Sequence, residues 1–191
     1  MSDEMADKRR NGRIGYRLSP SDVIVEVTGA WDKFAIENDS PHMRAAKVLG
    51  RRIWEVITDE NMQHLYSQIL KKVREGRAMR FDLRCDAPHE RRNIEMSIEP
   101  IDDGSVIFET RETETERRPQ DVHLASAGER ADATVVACSW CNRIKAGEGR
   151  WVELEEAVEC LNLFTFKPRL ILSHGICADC KAYVMRKLVE P

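Results

Sequence analysis

Four of the six cysteines fall in two pairs, Cys138-Ser139-Trp140-Cys141 and Cys177-Ala178-Asp179-Cys180, in the pattern C-x2-C-x35-C-x2-C. Two thiolates two residues apart can grip one metal ion from a tight turn, and two such knuckles complete a sulfur tetrahedron. That is the coordination of structural Zn2+. Cys138, Cys141, Cys177 and Cys180 are therefore the candidate metal ligands. A four-thiolate site is closed and leaves no position for a metal-bound water, so hydrolytic zinc catalysis is not expected. The surrounding stretch, residues 135 to 191, has few large apolar side chains, and a bound metal supplies stability that so small a core lacks. His174, three residues before Cys177, is a candidate alternative ligand or a partner to one. The competing use of the pairs is thiol redox sensing, in which oxidation ejects the metal; a cysteine in a helix's first turn can have a lowered thiol pKa. The βαβ context of a thioredoxin-like dithiol is not visible here.

Between the pairs, Trp151, Leu154, Val158 and Leu161 recur at helical spacing with Glu153, Glu155, Glu156 and Glu159 largely opposite, which predicts a short amphipathic helix. The second pair opens another helix, continued by Val184 and Leu188. Arg143, Lys145 and Arg150 form a basic cluster after the first pair, but Glu148 and the acidic helix weaken its field, so nucleic acid is not an expected partner. Cys85 and Cys160 stand alone and read as small hydrophobes.

The chain has 191 residues, 42% hydrophobic and 33% charged, with a net charge of -3. No overall positive field recommends nucleic acid or an acidic membrane. The N-terminus lacks the apolar core of a secretory signal, and nowhere do ~18 apolar residues run together. A cytoplasmic location follows as the expectation, and in that compartment six cysteines stay reduced. Residues 112–134 carry only Val122 and Leu124 as large apolar side chains and read as a linker. It separates a body, residues 14–111, from the cysteine-bearing module, residues 135–191. Residues 1–13 form a charged tail.

Within the body, Val23, Val25 and Val27 alternate with polar neighbours as a first strand, and Trp31, Phe34 and Ala35 follow at helical spacing. A longer helix begins at about Asp59, capped by Thr58 or Asp59, with Met62, Leu65, Ile69 and Val73 as its apolar stripe and Gly76 as its stop. The period then changes to 2. Met79, Phe81, Leu83 and Cys85 alternate with charged residues, as do Ile94, Met96 and Ile98. Asp102-Asp103-Gly104 turns the chain into Val106, Ile107 and Phe108. Helices followed by three hairpin-linked strands make an α+β order, an antiparallel sheet with helices covering one face.

The body resembles a PAS domain over about residues 16 to 110. The carriers are Trp31-Asp32-Lys33-Phe34-Ala35 with Asn38, Val48-Leu49-Gly50-Arg51-Arg52-Ile53-Trp54-Glu55-Val56-Ile57, and Arg74-Glu75-Gly76-Arg77. The resemblance implies a five-stranded sheet with helices enclosing a pocket, used as a sensor or a dimerisation surface in bacterial signalling. Trp31, Trp54, Met79, Phe81, Leu83, Met96, Ile98 and Phe108 are then the candidate pocket residues, and core packing is the competing role for all of them. The Asn-Cys-Arg-Phe signature of flavin photosensors is missing. His64 lies near where haem-binding PAS domains place an iron ligand, yet at 100° per residue it sits almost opposite the apolar stripe. Residues 137 to 183 similarly resemble a small C-terminal cysteine-rich unit of some bacterial PAS proteins and response regulators, carried by Cys138-Ser139-Trp140-Cys141, Arg143, Lys145, Trp151 and Ser173-His174-Gly175-Ile176-Cys177-Ala178-Asp179-Cys180.

The expected function is that of a non-catalytic regulatory protein. A PAS-like domain binds a ligand or a signalling partner, with a homodimer as one candidate, and a structural zinc module follows. Glycine-rich phosphate loops and kinase motifs are absent from the sequence. The thiol redox sensor and the haem-binding sensor are the alternatives.

Overall fold

Two sheets organise the chain. The computed structural model describes residues 13–38, 40–86, 90–118, 133–161 and 170–190. They divide into two units, Met1–Asp82 with Ile94–Thr113, and Leu83–Asn93 with Glu114–Pro191. Leu83–Asn93 thus group with the second unit, whereas the sequence division placed them in the body.

The first unit is mixed α+β. Its strands are β1 (Arg13–Leu18), β2 (Ile24–Gly29), β3 (Met79–Arg84), β4 (Glu90–Pro100) and β5 (Val106–Arg117), in the order β2-β1-β5-β4-β3. The last residues of β3, the first of β4 and the last of β5 belong to the second unit. β1 pairs antiparallel with both β2 and β5. The helices are α1 (Trp31–Glu37), a 3-10 turn at Pro41–Met43, α2 (Ala45–Val48), α3 (Ile53–Val56) and α4 (Glu60–Arg74).

Local chemistry explains most of these elements. Asp59 caps α4 by accepting from the Met62 amide at 2.9 Å, and Gly76 leaves the helix at φ +97°. The α4 stripe of Met62, Leu65, Ile69 and Val73 is buried together with Leu70. Met79, Phe81, Ile94, Met96, Ile98, Val106 and Phe108 are buried too, as the period of 2 requires. Gly104 takes φ +81° in the turn before β5.

The sequence reading began its strands at Val23 and missed β1, the strand that joins β2 to β5. Ile14, Tyr16 and Leu18 alternate along it, but Gly15 stands among them as a poor strand former, where a Cβ would stand 2.3 Å from the Phe108 carbonyl oxygen. Close approach of two backbones, rather than propensity, selects glycine there. β5 also runs through Arg117, so residues 112–117, read above as the start of the linker, are strand. Residues 119–132 of that stretch lie outside the described residues, as does the tail up to residue 12, and its last two residues, Ala133 and Thr134, begin β6.

The second unit, expected as a small α-containing zinc module, has its helices and a sheet as well. β6 (Ala133–Cys138), β7 (Ile144–Lys145), β8 (Trp151–Val152) and β9 (Leu170–Gly175) take the order β8-β7-β6-β9, with α5 (Leu154–Cys160) and α6 (Ala178–Val189). Trp151, read above as the start of the helix, is in β8. Val135, Ala137, Ile144, Val152 and Ala157 form the core. β6 and β9 run parallel. Parallel neighbours need a crossover of a dozen or more residues, often containing a helix, which accounts for the long spacing between the cysteine pairs. Among the described residues, no helix is long and apolar enough to cross a membrane.

Candidate metal centre

The parallel register ends with Cys138 opposite Gly175. The first knuckle turns there. The Asn142 amide donates to the Cys138 carbonyl at 2.9 Å, the Cys138 amide to the Arg143 carbonyl at 2.8 Å, and the Ser139 amide to the Gly175 carbonyl at 2.8 Å. Asn142 takes φ +56°, a left-handed conformation that asparagine tolerates better than most residues. Trp140, 3% exposed, packs inward beneath the turn.

The second knuckle is the start of α6. Cys177 is its N-cap, with Sγ accepting from the Cys180 amide at 3.4 Å, and the Cys177 amide points at Cys138 Sγ at 3.4 Å. Val184 and Leu188 bury the far end of the helix. All four sulfurs of Cys138, Cys141, Cys177 and Cys180 lie within 4.8 Å of one another, with Cys141 and Cys177 at 3.9 Å. A tetrahedron with Zn–S bonds of ~2.3 Å has sulfur–sulfur edges of about 3.8 Å. The donor set and its spacing therefore suit a thiophilic tetrahedral ion, and the four cysteines could hold one.

Hydrogen bonds from Cys141 and Cys180 lower the pKa of Cys138. Cys141 is pushed up to about 12 by its bond to Cys138, and Cys180 is raised for the same reason. His174, on β9, is exposed and is not a member of the four-sulfur group. Cys160 is exposed at the end of α5, with Arg150 Nη2 at 3.8 Å. Cys85 is half-buried, and burial pushes its thiol up.

An ion-pair network in the same unit was not anticipated. Arg84 grips Asp86 through Nε at 3.2 Å and Nη2 at 2.5 Å, and its Nη1 reaches both oxygens of Glu153 at 3.0 and 2.9 Å. Asp86 also accepts from Arg118 Nη2 at 2.5 Å, and Arg118 Nη1 reaches Glu155 at 2.6 Å. Arg91 meets Glu155 at 2.9 Å. Arg143 donates to Glu153 at 3.3 Å. Burial opposes the charge of Glu153, but Arg84, Arg143 and Arg91 outweigh it and hold the carboxyl below its ordinary value. The Arg118 side chain is 2% exposed and Asp86 6%, a depth at which charges persist only when paired. Its members come from separate stretches of chain, so no local pattern announces it. Arg150 pairs with Glu156, so two of the three cations in the basic cluster face carboxylates.

In the first unit, Met79, Phe81, Met96, Ile98 and Phe108 are buried, while Trp31 and Trp54 are half-buried. Leu83 is half-buried and counts with the second unit. Trp31 Nε1 donates to the Met43 carbonyl at 2.6 Å and Trp54 Nε1 to Asp22 at 2.9 Å. Tyr16, which the sequence reading omitted, stacks on Phe108 at 4.6 Å and meets Trp31 edge-on at 6.0 Å. Trp54 also lines a surface recess of about 430 Å3 with Asp22, Ser67, Leu70, Lys71, Arg74 and Glu75. His64 is exposed on α4 and its ring lies 2.6 Å from Gln68 Nε2, on the face away from the buried stripe.

No protein-family model matches the chain, and no curated protein matches it. Among solved structures, it is similar to a domain of an HTR-like protein from Haloarcula marismortui ATCC 43049, at 13% identity and TM-score 0.39, over 53% of this chain and 98% of that one. It is also similar to a PAS domain of an HTR-like protein from Haloarcula marismortui, at 17% identity and TM-score 0.35, over 59% and 94%.

Proposed function

We propose that this chain is a non-catalytic sensory or regulatory protein in which a PAS-like domain binds a ligand or a signalling partner and a four-cysteine module holds a structural zinc ion. The observation that carries the reading is the convergence of Cys138, Cys141, Cys177 and Cys180 within 4.8 Å, delivered by a strand end and a helix start. Bound zinc would supply cross-linking stability to a unit with a small core and no open coordination position for catalysis. Ligand or partner binding by the PAS-like domain, in the cytoplasm, rests on the sequence resemblance together with the five-stranded sheet and its helices.

Native mass spectrometry of the purified chain tests this reading. One zinc per chain, lost in a Cys138→Ser variant, supports it; additional bound mass would identify a ligand, and the mass of the assembly would report any homodimer. Zinc-free protein with oxidised cysteines would overturn it.

The 3.9 Å approach of Cys141 and Cys177 sulfurs supports a second reading, a thiol redox sensor. Peroxide would take two electrons from two metal-bound thiolates and two protons from solvent and leave as two waters, while one disulfide forms and the metal is released. Metal occupancy unaffected by mild peroxide counts against it.

A further inference from the structure

The first knuckle is held from outside the cysteine-rich stretch. The Arg84 amide donates to the Trp140 carbonyl, inside the Cys138–Cys141 turn, at 2.8 Å. The Arg84 side chain holds Glu153 and Asp86 together, and Glu153 in turn holds Arg143, two residues past Cys141. The network closes on the same segment through Cys85, whose amide donates to the Arg92 carbonyl at 3.0 Å, and through Arg92 Nε, which donates to the Cys85 carbonyl at 2.9 Å. Asp86 takes a further bond from the Arg92 amide at 3.3 Å. Arg118 and Arg91 complete it on Glu155, in the first turn of α5.

From this arrangement we infer that residues 83–86 and 90–93 are a working part of the metal module, that Arg84 is the positioning residue of its first knuckle, and that metal occupancy and the order of these residues are thermodynamically linked. The inference rests on the metal reading of the four cysteines. Its physical basis is that the Trp140 carbonyl belongs to the Cys138–Cys141 turn, so an ion that cross-links the turn restrains the acceptor of the Arg84 amide, and its loss loosens that acceptor. Linkage is reciprocal: whatever metal contributes to the order of this segment, the ordered segment contributes to metal affinity. A guanidinium suits the position because its planar fork binds Asp86 through two nitrogens while a third reaches Glu153; an ammonium has no such fork.

The experiment uses the full chain. Zinc affinity is measured by chelator competition, and hydrogen exchange of residues 83–93 is followed with and without zinc, for wild type, Arg84→Lys and Arg84→Gln. Wild type should take one zinc and lose protection at residues 83–93 on chelation. Arg84→Gln should bind zinc about 10- to 100-fold more weakly, the size of effect typical of groups that orient metal ligands. It should also show a smaller zinc-dependent change in protection, with Arg84→Lys intermediate. Glu153→Gln, which leaves Arg84 in place, should weaken zinc in the same direction and guards against a folding failure of the Arg84 variants. Zinc uptake with unchanged exchange at residues 83–93, or wild-type zinc affinity in all three variants, overturns this inference alone. A wild-type chain that takes no zinc overturns the metal reading as well.

Discussion

Cys138 faces Gly175 across the last parallel rung of β6 and β9, and Cys177 follows two residues later with its amide 3.4 Å from Cys138 Sγ. Strand pairing therefore places the second knuckle beside the first. The remaining sulfurs arrive with the turn after β6 and the first turn of α6.

Cys138→Ser should abolish zinc binding and loosen residues 133–190 while leaving the first unit folded, because the two units have their own buried cores. Hydrogen exchange reads both parts. Loss of protection around Ile69 and Ile98 in this variant would refute the independence of the cores.

Ile98 and Ile69 are fully buried in the first unit. Ile98→Ala should cost ~2 to 5 kcal/mol, since a buried side chain of this size leaves a cavity when truncated. The urea midpoint of the first unit's transition measures the loss, and a change below about 0.5 kcal/mol, the scale of surface substitutions, would contradict the placement.

The Asp59 cap makes a smaller and chemically specific contribution. Asp59→Ala should destabilise α4 by ~1 kcal/mol, whereas Asp59→Asn, which keeps an acceptor for the Met62 amide, should stay near wild type. Equal losses in the two variants would show that the cap hydrogen bond is not the cause.

Alkaline pH tests the aromatic interior. Burial raises Tyr16 well above its ordinary value, with Tyr66 adding to the effect, and burial pushes Tyr66 up to about 12. The folded state therefore favours the neutral phenols. Their contribution is complete below the unfolded phenol value of about 10 and is lost as pH rises from there through the raised folded values. Tyr66→Phe should make this decline shallower, as read from urea midpoints alongside tyrosinate absorbance. Identical pH profiles for the two proteins would refute the assignment.

Much of the fold was legible because local signals agreed. The Asp59 cap, the Met62-Leu65-Ile69-Val73 stripe, Gly76 and the alternation from Met79 to Phe108 each specify conformation within a few residues. β1 was not legible, since what makes Gly15 acceptable in a strand is the nearness of Phe108, which lies far along the chain. β7 and β8 are two residues each, too short to show a period. Of the candidate pocket residues, alternation placed the strand residues on the apolar side. It could not foresee Tyr16 stacking on Phe108.

The two cysteine pairs illustrate the division most clearly. Thiol chemistry and a spacing of two residues are local properties, so the sequence alone determined that each pair could form a metal-gripping turn and that four sulfurs brought together suit a thiophilic ion. Whether they met was decided by a parallel strand pair whose hydrogen bonds link residues more than thirty positions apart. The same holds for Arg84, Asp86, Arg118 and Glu153: their charges are written in the sequence, but buried charges need partners in three dimensions, and only the tertiary structure assigns them.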